Sequence, residues 1–339
     1  MEQFLKWRKW LAAGIIGVFF VAGCAALKDS RPILPIKEYE KLISGRLDAD
    51  YIGTDACLAA CHVHDKRRAD FDLSTMGAQL SRESGMPIVN CESCHGPGSL
   101  AIDGITPEKV QADARAGKVT ACKYKTFIDI KNIPAQAQSL ICLKCHTANA
   151  TFNLHNWNAG IHNISDVSCS DCHRIHGGHN LKVKLRDTAE MCERCHQDVK
   201  AAFSLPNHHP VPEKKVFCTD CHDPHGSAAE KSLRRDTVKA TCTQCHTEKE
   251  GPFVYEHADI SEDCRVCHTP HGSVNNNLLN QREPFLCLQC HMTTHPITGS
   301  TPAARAEQKQ AFYTRCSDCH SQVHGTDQPS PSGKGNFIQ

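Results

Sequence analysis

The strongest constraint on this chain is a short motif that recurs along most of its length. Nine segments read Cys-x-x-Cys-His, and a tenth, from Cys57 to His62, has one extra residue between its cysteines. Together they hold all but two of the 22 cysteines. A disulfide framework does not need a histidine after every second cysteine, and zinc sites need four ligands from paired half-sites. The pattern therefore predicts covalent c-type haem, with two thioether bonds and an iron-binding histidine per motif.

The motifs predict about ten haems. The extra residue in the first motif still permits attachment, because residues four apart lie on one face of a helix, although a singly attached or unattached site is the alternative. Cys122 fits no motif and is predicted to be a free or structural thiol. The predicted thioether cysteines are Cys57, Cys61, Cys91, Cys94, Cys142, Cys145, Cys169, Cys172, Cys192, Cys195, Cys218, Cys221, Cys242, Cys245, Cys264, Cys267, Cys287, Cys290, Cys316 and Cys319. The predicted proximal iron ligands are His62, His95, His146, His173, His196, His222, His246, His268, His291 and His320.

Composition indicates that the polypeptide cannot build a large core of its own. Aromatic residues make up only 6% of the chain, and the mean hydropathy is -0.42. Gly, Pro, Asn and Asp are frequent between the closely spaced motifs, which leaves room only for short helices. We predict a mostly irregular fold with short α-helices and no substantial sheet, organised by the haems into an elongated wire. Pro107 to Lys118 is the clearest helical run between motifs.

The N-terminus predicts export. Lys6, Arg8 and Lys9 precede an apolar stretch at 11–22, and the run Val21 to Cys24 is similar to a bacterial lipobox. An uncleaved anchor or an ordinary signal peptide with a chance cysteine are the alternatives. We predict lipidation at Cys24, a lipoprotein signal peptide at 1–23, a tether at 24–50, a decahaem domain at 51–326 and a flexible tail at 327–339.

The charge balance argues against a nucleic-acid partner. The formal net charge is +1, of which Glu2, Lys6, Arg8 and Lys9 supply +2, so the polypeptide after Cys24 carries about -1. About twenty haem propionates would make the loaded protein acidic.

Two kinds of motif alternate after His146. In one kind a histidine and a glycine follow the proximal histidine, and in the other kind a linker histidine precedes the next motif. The pair forms a dihaem module that recurs about every 50 residues, and such periods indicate stacked copies. A histidine three residues after a proximal ligand is better placed for a neighbouring haem than for its own. The predicted distal ligands are His155, His162, His176, His179, His209, His225, His257, His271, His295 and His324; one of His208 and His209 is expected to be a spectator.

The first of five predicted modules is degenerate. His64 lies too close to His62 to be favoured as a ligand, and Gly-Pro-Gly follows His95. These haems would borrow His155 or His179, use Met76, or remain five-coordinate. Methionine ligation would raise the reduction potential of that haem, although a lone methionine is more often a packing residue.

Several segments resemble the decahaem cytochromes of the MtrA/DmsE type. They are Cys91 to Pro97, Glu250 to Ala258, Cys264 to Ser273 and Cys316 to Gly325, and the similarity extends over roughly residues 52–325. The resemblance implies a bis-histidine haem wire inside an outer-membrane β-barrel porin, which relays electrons from a periplasmic or inner-membrane donor to an extracellular multihaem cytochrome or acceptor. It also implies a location within the outer membrane or at its periplasmic face. The lipobox-like run, rather than the resemblance, predicts that the chain contacts the membrane through a lipid anchor.

The predicted function is therefore electron transfer rather than catalysis. One alternative is a multihaem reductase with an open haem position in the first module, which would need acid or base groups over that iron. The other is a subunit of an extracellular haem filament.

Overall fold

A computed structural model describes residues 36–61, 66–74, 76–85, 88–118, 120, 126–146, 154–176, 188–257, 262–291, 302 and 313–329. Within these ranges the chain forms thirteen short α-helices joined by turns and irregular segments. They are α1 (Ile36–Ile43), α2 (Thr54–Cys61), α3 (Arg67–Asp72), α4 (Cys91–His95), α5 (Pro107–Arg115), α6 (Ala135–His146), α7 (Ile161–Ile164), α8 (Cys169–Cys172), α9 (Thr188–Cys192), α10 (Gln197–Phe203), α11 (Cys218–Cys221), α12 (Val238–Cys242) and α13 (Phe285–Leu288).

The remaining regular structure is small. Single 3-10 turns occupy Ile130–Asn132, Trp157–Ala159, Glu230–Ser232, Thr247–Lys249, Cys264–Val266, Asn276–Leu278 and Cys316–Asp318. In the described residues the only sheet pairs β1 (Asn207–His208) antiparallel to β2 (Gly272–Ser273). The predicted fold class is confirmed: short helices, irregular connections and no substantial sheet. The predicted helix at Pro107 is also present as α5.

Each of the nine Cys-x-x-Cys-His motifs in the described chain lies on a helical turn. The backbone N–H of the motif histidine donates to the carbonyl of the first cysteine, as in His173 to Cys169 at 2.8 Å and His246 to Cys242 at 3.1 Å. In several motifs a polar residue between the cysteines holds the start of the turn. Asp171, for example, accepts hydrogen bonds from the backbone N–H and the hydroxyl of Ser168. The turn brings both cysteines and the histidine close together.

The protein's own core lies at the N-terminal end of the described chain. Tyr39 and Ile43 of α1 pack with Ala137 and Ile141 of α6 and with Ile128, and each of these side chains is buried. The C-terminal part of the predicted tether is thus a packed helix. Residues before Ile36, including Cys24 and the predicted signal peptide, lie outside the described residues.

A recurring polar contact joins the two motifs of a module. It links the residue four positions before one motif to the residue that follows the first cysteine of the next motif. Ser170 donates to Gln138 at 2.8 Å, and the N–H and hydroxyl of Ser317 donate to Glu283 at 2.8 and 2.9 Å. In the first module the N–H of Gly53 donates to Glu92 at 2.8 Å. The first module is therefore joined in the same way as later ones.

Glu92 is the most connected residue of that first module. The residue is only 3% exposed, and its carboxylate accepts backbone hydrogen bonds from Ile52, Gly53 and Gly98 at 2.8–2.9 Å. Removal of a buried acceptor leaves its donors without a partner, and each such loss is costly.

We expect Glu92→Ala to lower the free energy of unfolding by about 2–4 kcal/mol, because one buried and two partly buried N–H groups lose their acceptor. Chemical denaturation of the haem-loaded protein, followed by circular dichroism, measures this change. Glu83→Ala, at an exposed position, is the matched control and should shift the midpoint little. Equal midpoints for the two variants would show that Glu92 does not hold the module together.

Candidate haem-binding sites

The first cysteines of the two motifs in a module lie next to each other. Cys142 and Cys169 share a hydrogen bond, which raises the pKa of Cys142 and lowers the pKa of Cys169 to about 7. The same contact joins Cys192 to Cys218 and Cys242 to Cys264, and it lowers the pKa of the second partner to about 7 and about 6 respectively. In the last module, burial and the nearby Cys316 raise the pKa of Cys287 to about 12. In the first module, burial and the nearby Cys91 raise the pKa of Cys57 to about 11.

The second cysteines instead lie near a motif of the adjacent module. Burial raises the pKa of Cys94, and Cys145 raises it further. Equivalent neighbours are Cys172 with Cys195, Cys221 with Cys245, and Cys267 with Cys290. The attachment points therefore follow one another in sequence order from the first motif to the tenth.

The predicted ligand histidines face one another in pairs. Seven proximal histidines of the described chain each lie opposite one predicted distal histidine, with ring centres 5.9–6.3 Å apart. The pairs are His95 with His176, His173 with His225, His222 with His271, His268 with His324, His196 with His162, His246 with His209, and His291 with His257.

This separation fits one iron between two imidazoles. An imidazole nitrogen binds a transition metal at about 2.0 Å, and the ring centre lies about 1 Å further away, so two rings on one metal have centres about 6 Å apart. Direct ring stacking without a metal brings the centres as close as about 4.5 Å. The pairs thus have the spacing that a haem iron requires, and each stands beside a cysteine pair that can hold the macrocycle.

The histidine that follows a motif serves the preceding module rather than its own. His225, three residues after His222, faces His173 at 6.2 Å with an interplanar angle of 14°. His271 in turn faces His222 at 6.1 Å. This arrangement agrees with the expectation that such a histidine reaches a neighbouring haem.

The same offset by one module provides a distal histidine for the first module. His95 faces His176 of the next module at 6.3 Å, with nearly parallel rings. The sequence interpretation considered His155, His179 and Met76 for this module and missed His176. No histidine is needed in the Gly-Pro-Gly segment after His95, because no earlier motif of the same kind exists for it to serve. That one-module offset was the signal that could have identified His176.

Linker histidines follow a different rule. His162, His209 and His257 each precede one motif and face the proximal histidine of the motif after it. The ring N–H at Nδ1 donates to a backbone carbonyl of the following module: His162 to Pro224 at 2.9 Å, His257 to Val323 at 3.1 Å, and His209 to Pro270. With Nδ1 protonated, Nε2 is the nitrogen that is free to bind a metal, as in other histidine sites held by an outer carbonyl.

Two proximal histidines are oriented by unusual turns. Nδ1 of His222 donates to the carbonyl of Lys231 at 2.9 Å, and Nδ1 of His268 donates to the carbonyl of Asn277 at 2.8 Å. Both carbonyls belong to residues with positive φ, 53° at Lys231 and 56° at Asn277, and the following residue is also left-handed. Non-glycine residues rarely adopt this conformation, and it is found where a functional group must be aimed.

The glycine after a distal histidine is required by a close backbone approach. A Cβ atom on Gly272 would lie 1.9 Å from the carbonyl oxygen of Ala202, and one on Gly226 would lie 2.9 Å from that of Asn156. The next residue in each approaching segment is aromatic and lies edge-on to the distal imidazole, at 5.5 Å for Phe203 to His271 and 6.4 Å for Trp157 to His225. Sequence reasoning missed these aromatic residues, because their contacts are made between modules.

The structure also distinguishes His208 from His209. His208 uses Nδ1 to donate to the carbonyl of Leu205 at 2.6 Å, and its Nε2 lies 3.2 Å from Glu213. Those hydrogen bonds and the charge of Glu213 raise the pKa of His208. His209 instead faces His246 at 6.3 Å. His208 is therefore the histidine held by local hydrogen bonds.

Two other predicted ligands, His155 and Met76, lie within the described residues. His155 is exposed and forms no ring pair with the histidines of the described chain. Met76 lies in a turn, where its carbonyl accepts a hydrogen bond from Gln79 at 3.3 Å. The residues outside the described ranges include His62, His64, Cys122, His179 and His295, so the partners of His62, His146 and His320 stay predictions.

Comparisons with known proteins agree with this geometry. The "Doubled CXXCH motif" family matches residues 162–201, 208–251 and 257–296, and the "Cytochrome c554 and c-prime" family matches residues 108–174. Each doubled-motif match includes a linker histidine and the proximal histidine that it faces. None of the helices in the described part of the chain has the length and apolar character that a bilayer crossing requires.

A relative that matches most of the chain is also found. The chain is 34% identical over 285 residues to the multihaem cytochrome MtrA of Shewanella baltica (strain OS185), with 82% of this chain and 80% of the relative covered. Together with the paired motifs and the facing imidazoles, this similarity supports multiple covalent haems and electron transfer through them. The chain therefore belongs to the MtrA family of multihaem c-type cytochromes.

Proposed function

We propose that the chain conducts electrons in sequence order along about ten haems, across or at the outer membrane, toward extracellular or periplasmic acceptors. The observation that carries the proposal is the set of seven facing imidazole pairs, which are arranged in the same order as the motifs. Haem iron, when bound, supplies a one-electron carrier whose potential depends on its axial ligands and surroundings.

The paired histidines would act by filling both axial positions. Each of the seven pairs would offer one imidazole nitrogen from either side of an iron, so those sites would leave no position at which a small substrate could bind. A reductase needs at least one such position. Because carbonyls already hold Nδ1 of His162, His222 and His268, these rings have little freedom to swing away. Fixed ligation favours electron transfer, in which the site should change little between redox states.

The order of the attachment cysteines along the chain would keep neighbouring haems close together. Within a module the first cysteines of the two motifs adjoin, and between modules the second cysteines adjoin. Since no motif is skipped, an electron would not need to cross a long segment of polypeptide.

For the surroundings of the wire we propose export, lipidation at Cys24, and a β-barrel porin partner that shields the chain from lipid. An irregular backbone cannot face the hydrocarbon region, because its polar groups would lack partners there. Such a barrel must be wide, since eight-stranded barrels have room only for side chains. An extracellular multihaem cytochrome and a periplasmic donor are the proposed partners at the two ends.

The ligand sets predict low-spin iron at the seven paired sites. Magnetic circular dichroism and electron paramagnetic resonance of the purified protein should show low-spin bis-histidine haems, and cyanide or nitrite should leave these seven unchanged. A haem that binds either ligand at one of the seven pairs would contradict the proposal and favour a reductase.

The one-module offset predicts which haem each distal histidine serves. His324→Ala should convert one haem to high spin, the one held by His268 rather than the one held by the nearby His320. Combining His324→Ala with His268→Ala should still alter one haem, whereas combining it with His320→Ala should alter two.

Spin quantitation by electron paramagnetic resonance separates these outcomes. His155→Ala is the matched control, since this exposed histidine faces none of the described imidazoles, and it should leave the seven paired sites unchanged. Two altered haems in the variant that lacks both His324 and His268 would disprove the offset.

The proposed barrel partner can be tested in the native membrane. Affinity purification of the tagged, full-length protein from detergent-solubilised outer membrane should recover a porin-sized β-barrel in a constant ratio. Recovery of the chain alone, or of haem filaments, would contradict the shielded wire while leaving the haem assignments intact.

A further inference from the structure

The side chain of Trp157 is buried, but its polar atom has no partner within the described residues. The residue begins the single 3-10 turn at Trp157–Ala159 and is only 5% exposed. Its indole Nε1 is shielded from solvent and forms no hydrogen bond with the described chain. An indole N–H can donate but cannot accept, and a buried donor without an acceptor is costly. An acceptor that the polypeptide does not supply is therefore expected beside this ring.

The position of the ring indicates where that acceptor comes from. Trp157 lies edge-on to His225, with ring centres 6.4 Å apart and an interplanar angle of 62°. His225 in turn faces His173 at 6.2 Å, across the space that suits one iron. The backbone of the same segment is fixed there, because a Cβ atom on Gly226 would lie 2.9 Å from the carbonyl oxygen of Asn156. The indole is thus held beside the site of one haem.

Haem offers a strong acceptor of one kind on its rim. Its four pyrrole nitrogens bind the iron, so the two propionate carboxylates are the groups left to accept a hydrogen bond from a side chain. A hydrogen bond to an ionised carboxylate is shorter and about twice as strong as one between neutral groups. A carboxylate that loses hydration against protein also needs such a donor. The indole N–H and a propionate would each supply what the other lacks.

The next module separates this donor from ring packing. Phe203 holds the equivalent position, is 7% exposed, and lies edge-on to His271 at 5.5 Å. The carbonyl of Ala202 closely approaches the position of Gly272, as that of Asn156 does at Gly226. Because a phenyl ring has no polar hydrogen, an aromatic side chain can pack beside the distal histidine without a donor. The indole N–H of Trp157 is therefore additional to the packing.

We propose that the indole N–H of Trp157 donates a hydrogen bond to a propionate carboxylate of the haem held by Cys169, Cys172 and His173. This step rests on the proposed insertion of a haem between His173 and His225. The site at which Phe203 packs has no such donor from the equivalent residue. Two otherwise equivalent haems of the wire would then differ by one hydrogen bond.

The composition of the chain permits a direct test on the native holoprotein. Trp7 and Trp10 belong to the predicted signal peptide, so Trp157 is the only tryptophan after residue 23. The protein is produced with tryptophan carrying nitrogen-15 in the indole and with δ-aminolevulinate carrying carbon-13 in its carboxyl group. In haem this carbon is retained only in the propionate carboxyls. Rotational-echo double-resonance NMR of the fully reduced, diamagnetic protein then measures the distance from the indole nitrogen to the nearest propionate carbon.

We expect a distance of about 4 Å or less, since a hydrogen bond separates nitrogen and oxygen by about 2.9 Å and the carboxyl carbon lies about 1 Å beyond. The nitrogen signal should lose most of its intensity during dephasing. Protein with unlabelled haem should show no such loss, and Trp157→Phe should remove the nitrogen signal itself, which confirms its assignment.

A distance greater than about 6 Å would overturn the proposal, because the indole would then donate to water or a backbone carbonyl, or to nothing. Mass spectrometry of the peptide that spans Cys169 to His173 shows separately whether its haem is attached. A peptide without haem would refute the occupied site on which the proposal rests, whereas an attached haem with a distant propionate would refute the hydrogen bond alone.

Discussion

The structure depends on one arrangement, in which an imidazole from one part of the chain faces an imidazole from another part. The distance between the two rings is the one that two axial ligands of a single haem iron require. The His173–His225 and His222–His271 pairs show its consequence most directly. Each contact between two such imidazoles ties one module to the next, because neither histidine can move without losing its partner. The backbone carbonyls that hold Nδ1, the left-handed turns and the close glycine contacts all serve to place these rings. The chain is therefore organised around ligand pairs rather than around a packed apolar interior.

The distribution of the protein's own core follows from this dependence. Tyr39, Ile43 and Ile141 form an apolar cluster where α1 meets α6, at the end of the chain where the gap between motifs is longest. Further along, the motifs are too closely spaced to leave room for such helices. Covalent macrocycles can take over the role of buried side chains there, which is why a polypeptide with only 6% aromatic residues can hold a defined shape.

Much of this could be predicted from the sequence, because the information is local. The sequence of each motif identifies the haem attachment points, and the alternation of motif types predicts the distal histidines, including His162 and His225. The pairing was only partly predictable, because the spacing indicates that such a histidine serves a neighbouring haem but does not say which one. The partner of His95 is His176, in another module, and nothing near His95 in the sequence marks that contact. His208 and His209 likewise differ only in the carbonyls and carboxylate around them, which only the folded chain brings into place.

The offset of ligands by one module also bears on how such a wire can change length. A unit inserted by internal duplication would receive one distal imidazole from the unit before it and one from the unit after it, and it would supply one imidazole to each. All the ligand pairs in the interior would remain complete, whereas a loss at either terminus would leave an iron without its second ligand. The glycine at 272 and its counterpart at 226 preserve the same backbone contact at two junctions, so the joint itself is repeatable. Variation in haem number within such an architecture should therefore arise in the middle of the chain, with the two ends kept as they are.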